Sequence, residues 1–353
     1  DFDTRQSYAA SDKGYSDDVW SMFAELGWTA VPFSEGDGGF GGGPVDVMVL
    51  MQSLAPGLAV EPYIPNVILA GGILSRVASD EQKEKWLQPI IGGELQATLA
   101  FNEPQARYQL ASVATTATRE DGQWVLNGTK SLVPNAGTSD LLIIPARTSQ
   151  GSSDEAGITL FAVDAKADGL SLNRYATVDG LQAADVTLSS VSVSADAVLG
   201  DVDHGFPALD ATVDDATLAI CAEAVGIMHV LKDKTVEYSK SRKQFGVPIG
   251  SFQALQHRMV DMLMACEQAQ SLLIWSVMTR AAGGADSKRA NSSIKYMIGT
   301  EGRKLAEEAV QIHGGMGVTW ELDVAHYFKR LTAICLSFGN ADWHLDELAE
   351  STS

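Results

Sequence analysis

The chain has 353 residues, 45% of them hydrophobic, enough to bury a sizeable core as one large fold or as two to three packed lobes. Its 45 acidic against 25 basic residues give a formal charge of −20, which repels phosphate backbones and excludes nucleic acid as a partner. The cysteines Cys221, Cys266 and Cys335 are too scattered for a disulfide framework or a zinc site, and no apolar run is long enough for membrane insertion. The expectation is a chain without metal, its thiols buried as small hydrophobes, in a reducing cytoplasm; the first residues have no signal-peptide character.

Residues 1–97 read as helical. Trp20, Met22, Phe23 and Leu26 recur at helical spacing, the glycine-rich run from Gly36 to Pro44 breaks the pattern, and an apolar helix follows over 45–54. Ser79, three residues before Gln82 and ahead of Trp86 and Leu87, has the form of a capping box, so a helix is expected to start there. From about residue 98 the period becomes two. Strands are expected over 98–101, 113–119, 124–132, 141–145, 158–163 and 185–193, with an Asp121-Gly122 turn joining the second and third. This middle β-domain is expected to span 98–203.

Helical periodicity returns over 204–353, with helices expected at 216–240, 252–282, 287–314 and after 324. Leu255, Met259, Met262, Leu263 and Cys266 form an apolar stripe that reads as core. A four-helix C-terminal bundle follows, and the fold class is α+β: helices, a β-domain, then a helical bundle.

Two motifs in the last lobe are candidates for chemistry, although on its residues alone the first reads rather as a capped helix end with a hydrophobic contact, and a glycine pair alone is a weak signal. Arg242 follows a helix C-terminus, a favourable place for a cation, and leads through Phe245 and Gly246 to Phe252, Gln253, Gln256 and His257. Ala309, Val310 and Gln311 precede His313, Gly314, Gly315 and Gly317; adjacent glycines admit a phosphate or ring edge to the backbone, and a glutamine can bond a ribose or adenine. His257 and His313 read as packing or helix-polar residues, since neither has an acidic orienting partner in sequence.

Together the R-x-x-F-G…F-Q-x-x-Q-H and A-V-Q-x-x-G-G-x-G patterns strongly resemble the acyl-CoA dehydrogenase family, over almost the whole chain from inside the family's N-terminal helical domain, whose first helix is not represented. In detail, Glu103 to Tyr108, the run after Arg242 and the segment Phe338 to Asp342 resemble the small subunit of pimeloyl-CoA dehydrogenase and similar heteromeric members. The resemblance implies FAD, acyl-CoA α,β-desaturation in fatty acid β-oxidation, and electron-transfer flavoprotein as electron acceptor. It assigns Arg242, Phe245, Gln253, Gln311, Gly314 and Gly315 to the ADP half of an FAD whose ring lies in a neighbouring subunit.

The family's catalytic apparatus is not matched. Its usual base is a glutamate about 27 residues beyond the A-V-Q glutamine, where this chain has Phe338; the alternative base position falls on Ala216, beside Thr217. Asp214 and Asp215 lie close by and read as a solvated helix start, with Asp215 the substitute base if the helix shifts. The T-E-P-x-x-G-S-D loop that holds the flavin ring is here Asn102 to Tyr108, and W-I-T-N is Leu132 to Asn135, where Pro134 has neither hydroxyl nor N–H. The pattern implies a chain without a catalytic residue of its own that completes the FAD site of a paralogous partner in an α2β2 assembly. Two alternatives stay open: an active homo-oligomeric dehydrogenase or flavin oxygenase with a relocated base, and a flavin-free scaffold or acyl-CoA-binding module.

Overall fold

The computed structural model describes residues 1–149, 151, 153–284 and 286–351. In chain order come α1 (Phe2–Ala9), α2 (Asp17–Glu25) and α3 (Pro44–Leu54). A π-helical stretch, Tyr63–Gly71, runs into α4 (Gly72–Val77); α5 (Asp80–Gln82) passes through another, Lys83–Leu87, into α6 (Gln88–Ile91). Strands β1 (Ala97–Leu99), β2 (Thr116–Glu120), β3 (Gln123–Pro134), β4 (Leu141–Arg147), β5 (Ile158–Asp164), β6 (Leu170–Ala176), β7 (Gln182–Val193) and β8 (Val198–Leu199) follow. Then come α7 (Phe206–Ser241), the short strands β9 (Lys243–Gln244) and β10 (Val247–Pro248), α8 (Gln253–Ala281) and α9 (Ser287–Met297). The chain finishes with α10 (Arg303–His313), α11 (Val324–Leu336) and α12 (Ala341–Glu350), so the α+β order read from the sequence is the observed one. Two compact units result: Gln6–Gly42 with Val60–Ala216, and Asp1–Arg5 with Gly43–Ala59 and Thr217–Ser353.

The first unit is built on an eight-stranded sheet in the order β6-β7-β3-β2-β4-β5-β8, with β1 pairing β4. β1 and β2 run parallel to β4 and every other pair is antiparallel. Asp121 (φ 47°) and Gly122 (φ 85°) join β2 to β3 in the primed turn that the sequence announced, with Glu120 opposite Gln123. Leu126, Phe161, Val186 and Val191 form the centre of the core, and Trp124 meets Phe161 edge-on at 5.5 Å. Asn66 anchors β1 by donating from Nδ2 to Leu95 O and accepting from Ala97 N.

The capping box is present: Gln82 N donates to Ser79 Oγ, and Ser79 N donates to Gln82 Oε1. The Gln82 amide also donates to the carbonyls of Asp196 and Val198, fastening the helix start to β8. Ser79→Ala is therefore expected to cost about 1 kcal/mol, and Gln82→Ala about 2 kcal/mol because it also leaves those carbonyls without their donor. Urea midpoints of the two variants check the order.

The second unit contains α3, α8 to α12 and most of α7. Gln52 of α3 bonds Gln270 of α8, and a part-buried bidentate pair joins Glu223 on α7 to Arg330 on α11. The cysteines follow the expected course: Cys221, Cys266 and Cys335 are all buried and free, and burial pushes the Cys221 and Cys266 thiols up to about 12.

Several elements depart from the sequence reading. α7 begins at Phe206, ten residues before the expected start at 216, because Pro207 is harmless in a first turn whose N–H groups lack partners anyway. Asp214 and Asp215 consequently lie inside the helix rather than at a solvated start, and Asp215 pairs with Arg76. The third C-terminal helix is broken by a π-helical stretch, Ile298–Gly302, where a Cβ on Gly299 would lie 2.9 Å from the Cβ of Ala341; the close approach admits the start of α12. The bundle thus has more members than four. β6, an edge strand with only half-buried apolar positions, was not expected at all. Finally, Leu263 is 42% exposed although Met262 and Cys266 of the same stripe are buried.

Candidate functional site

The two helical motifs of the second unit meet at one end of that unit. α7 closes with Arg242 N donating to Tyr238 O, and the chain turns through β9 and β10 about Phe245 (φ 53°) and Gly246 (φ 83°). A ring on a left-handed backbone is strained, and here it projects Phe245 almost wholly into solvent, 92% exposed, where it meets Phe252 edge-on at 6.2 Å. Ile249 N donates to Arg242 O and Gln256 Nε2 to Gly250 O, which fixes the far side of the turn.

The glycine motif ends α10. Gly314 has φ 61° and ψ −142°, a combination that side-chain-bearing residues avoid, while no atom lies within 4 Å of where a Cβ on Gly314 or Gly315 would sit. Tyr238 ties the two motifs together: its ring stacks on His313 at 4.3 Å and its hydroxyl donates to His313 O. An Arg258–Glu308 ion pair does the same between α8 and α10. His313 is buried, bonded through Nδ1 to Ala309 O, and held below the ordinary histidine range by that burial, so it is a neutral packing residue as read. Arg242, Gln253 and Gln311 are exposed, and their side chains make no hydrogen bond or ion pair with other described residues.

The turn that carries Phe338 joins α11 to α12 in the same unit. Lys295, fully buried on α9, donates from Nζ to Cys335 O at 3.2 Å and Gly339 O at 2.5 Å. His344 bonds Phe338 O through Nε2 and Ser292 Oγ through Nδ1; burial and then Lys295 push its pKa down to about 4, so it donates to the carbonyl as a neutral ring. The turn is thus tightly held, with Phe338 itself at φ 53°. It presents a phenyl ring and no carboxylate. Sequence inspection did not find the Lys295 and His344 cradle, because a lysine and a histidine 49 positions apart carry no local signal of a shared partner.

The first unit contains the other two segments. Glu103 is buried under its loop, accepting from Lys130 Nζ at 2.6 Å, from the backbone N of Ala114 and Thr115, and from Thr115 Oγ1. Burial alone would raise its carboxyl; the Lys130 charge and these donors bring it down to about 2. Arg107, where the family pattern has glycine, adopts φ 50°. In β3 a bulge between Lys130 and Val133 sets Leu132 at φ 50° and 52% exposed. Two backbone N–H groups of this segment are already taken: Leu132 N donates to Asp185 Oδ1 and Asn135 N to Gln182 O, while Pro134 has none. Asp185 also accepts from the Tyr175 hydroxyl. The buried Asn135 Nδ2 is one donor left without a partner.

Of the residues considered as alternatives for a base, Ala216 is fully buried in α7, and the neighbouring Asp215 is engaged by Arg76. No helix among the described residues is long and apolar enough to cross a membrane.

Comparison with known proteins agrees with this arrangement along the whole chain. The family descriptions "Acyl-CoA dehydrogenase, N-terminal domain", "middle domain" and "C-terminal domain" match residues 4–94, 98–192 and 203–352. The 3-(aryl)acrylate reductase of Clostridium sporogenes is 30% identical over 331 residues, 92% of this chain and 87% of the relative. Subunit CarC of the caffeyl-CoA reductase-Etf complex of Acetobacterium woodii is 30% identical over 321 residues, covering 89% and 84%. Among solved structures, a variant of the Tcur3481-Tcur3483 steroid ACAD superposes with a TM-score of 0.88 at 27% identity, covering 99% of this chain and 92% of that one. Matched through all three of its consecutive parts, the chain belongs to the acyl-CoA dehydrogenase family.

Proposed function

We propose that this chain is the non-catalytic subunit of an FAD-dependent, heteromeric acyl-CoA dehydrogenase, and that it completes the FAD site of a paralogous catalytic partner in an α2β2 assembly. One contrast carries the reading. The residues suited to a nucleotide tail, Arg242, Phe245, Gln253, Gln311, Gly314 and Gly315, are exposed, and the side chains of Arg242, Gln253 and Gln311 are uncommitted, whereas the base position is Phe338 and in the ring-facing segment the backbone N–H groups of Leu132 and Asn135 are occupied and Pro134 has none. The first set fits an FAD nucleotide and the second does not fit its ring. Bound FAD supplies the hydride acceptor for Cα–Cβ desaturation of an acyl-CoA. On this chain Arg242 would hold the pyrophosphate by charge-assisted bonds, the glycine backbone would approach it closely, and Gln311 would bond the ribose or adenine.

Proton removal from the substrate needs a carboxylate within hydrogen-bond reach, and a phenyl ring at 338 cannot take a proton. Asp215 is a poor substitute because it lies within α7 and is already engaged in an ion pair with Arg76. Support for a partner also comes from relatives that are named as parts of complexes: CarC belongs to a reductase-Etf complex, and the Tcur3481-Tcur3483 steroid ACAD is named for two components. That likeness supports electron-transfer flavoprotein as the redox partner, which for a desaturation would accept the electrons.

The test is flavin stoichiometry. Co-expressed with a paralogue that has glutamate at the Phe338-equivalent position, the complex is expected to hold one FAD per two chains, and this chain purified alone to be colourless. One FAD per chain in the lone protein would end the reading.

A further inference from the structure

One cavity of the first unit has no part in the flavin reading. It measures about 470 Å³ and opens between the π-helical stretch Lys83–Leu87, the start of β4, the end of β5 and the segment that follows β7. That volume is within the range of small-molecule sites. Its floor is apolar and buried, formed by Leu141, Ala162, Val193 and Ala197, and the two alanines give it depth. Half-buried Trp86 forms a wall.

The rim has charges of both signs. Asp140, Asp164 and Asp196 contribute carboxylates and Lys85 and Lys166 ammonium groups, yet neither lysine forms an ion pair among the described residues. Lys85 Nζ lies instead 4.7 Å above the Trp86 ring, whose indole N–H donates to no described residue. Unpaired charges on a convex face are merely solvated. Here both signs surround an indentation with an apolar floor, which is a shape and a charge pattern that a ligand can match.

The walls are also set in advance. A π-helical turn, a form concentrated at functional sites, places Lys85 and Trp86. Gln82, just before it, donates to Asp196 O and Val198 O and so ties that wall to the opposite one. On the remaining side Asp164 Oδ1 accepts from Lys166 N, and Asp140 O accepts from Ala165 N, which hold the turn that carries Lys166.

We propose that this cavity binds a small zwitterion with an apolar body, of the class of free amino acids with large apolar side chains. Lys85 and Lys166 receive its carboxylate, Asp164 and Asp196 its ammonium group, and the body rests on the floor against Trp86. A bare anion would face three carboxylates and a bare cation two lysines; a molecule with both charges satisfies both sets. The site rests on no flavin and on no partner.

Isothermal titration of the full chain with L-phenylalanine tests it. A saturable heat is expected, with a dissociation constant of about 1 mM or tighter. The analogue without the ammonium group, 3-phenylpropionate, and the one without the carboxylate, 2-phenylethylamine, should each bind at least roughly 10-fold more weakly. Ala162→Leu, which fills the floor, should abolish the heat. Lys166→Glu should weaken binding at least roughly 10-fold, and because Lys166 is exposed on a turn its substitution leaves the fold intact, so this variant decides if Ala162→Leu does not fold. No saturable heat with L-phenylalanine, equal binding of all three compounds, or undiminished binding by Lys166→Glu would each overturn the site.

Discussion

Lys130→Met should be the most damaging single substitution in the β-domain, lowering stability by about 3–5 kcal/mol at neutral pH. Lys130 is fully buried, and its Nζ bonds Glu103 at 2.6 Å and Pro145 O at 2.7 Å. Removing the ammonium leaves an ionised carboxylate in the interior with backbone and hydroxyl donors but no countercharge. The pH dependence fixes the cause. The Glu103 carboxyl sits at about 2 in the folded protein against an ordinary value of 4.5. Because the folded value is the lower one, the pair stabilises fully above the ordinary value, and the stabilisation disappears as pH falls toward 2. Up to roughly 3 kcal/mol is involved. In Lys130→Met the sign reverses, since burial then raises the carboxyl and protonation relieves it. The gap between wild type and variant, read from urea midpoints, should narrow steadily from pH 7 to pH 4. A double variant, Glu103→Gln with Lys130→Met, should lose less than either single, as interacting partners do. A pH-independent gap would mean that the lysine acts through packing alone.

How much of this was legible in the sequence depended on whether the signal was local. The Ser79 capping box, the Asp121-Gly122 turn and the Arg242 and Gly314 motifs are all short-range patterns, and all appear where expected. The start of α7 was obscured because Asp210, Asp214 and Asp215 interrupt the apolar rhythm, although the helix tolerates them once Arg76 neutralises one. α8 misled in a different way. Its apolar residues cover two opposite faces, and periodicity reports that a residue is apolar without telling whether it is inside. Leu263 was grouped with Met262 for that reason, yet it is exposed. Phe338, at the position that the resemblance assigns to the base, is found by counting along the chain, but the buried lysine and histidine that hold its turn are not, because those contacts join α9, α11 and α12 across long separations.

Arg242→Ala in this chain should weaken FAD binding by the assembled complex roughly 10- to 150-fold, the equivalent of about 1.5–3 kcal/mol for hydrogen bonds to a charged group. The guanidinium is exposed and uncommitted within its own chain, so its removal costs the fold little and the loss should appear in cofactor affinity. Arg242→Lys should recover only part of the affinity, since a point charge cannot reproduce a planar two-pronged contact with pyrophosphate. Raising the salt concentration should erode the wild-type advantage, because an exposed cation is screened. Titrating FAD into the apo-complex, with the partner left wild type, measures all three. If Arg242→Ala held FAD as tightly as the wild type, the pyrophosphate would be gripped by the partner alone, and this chain would have no share in the site.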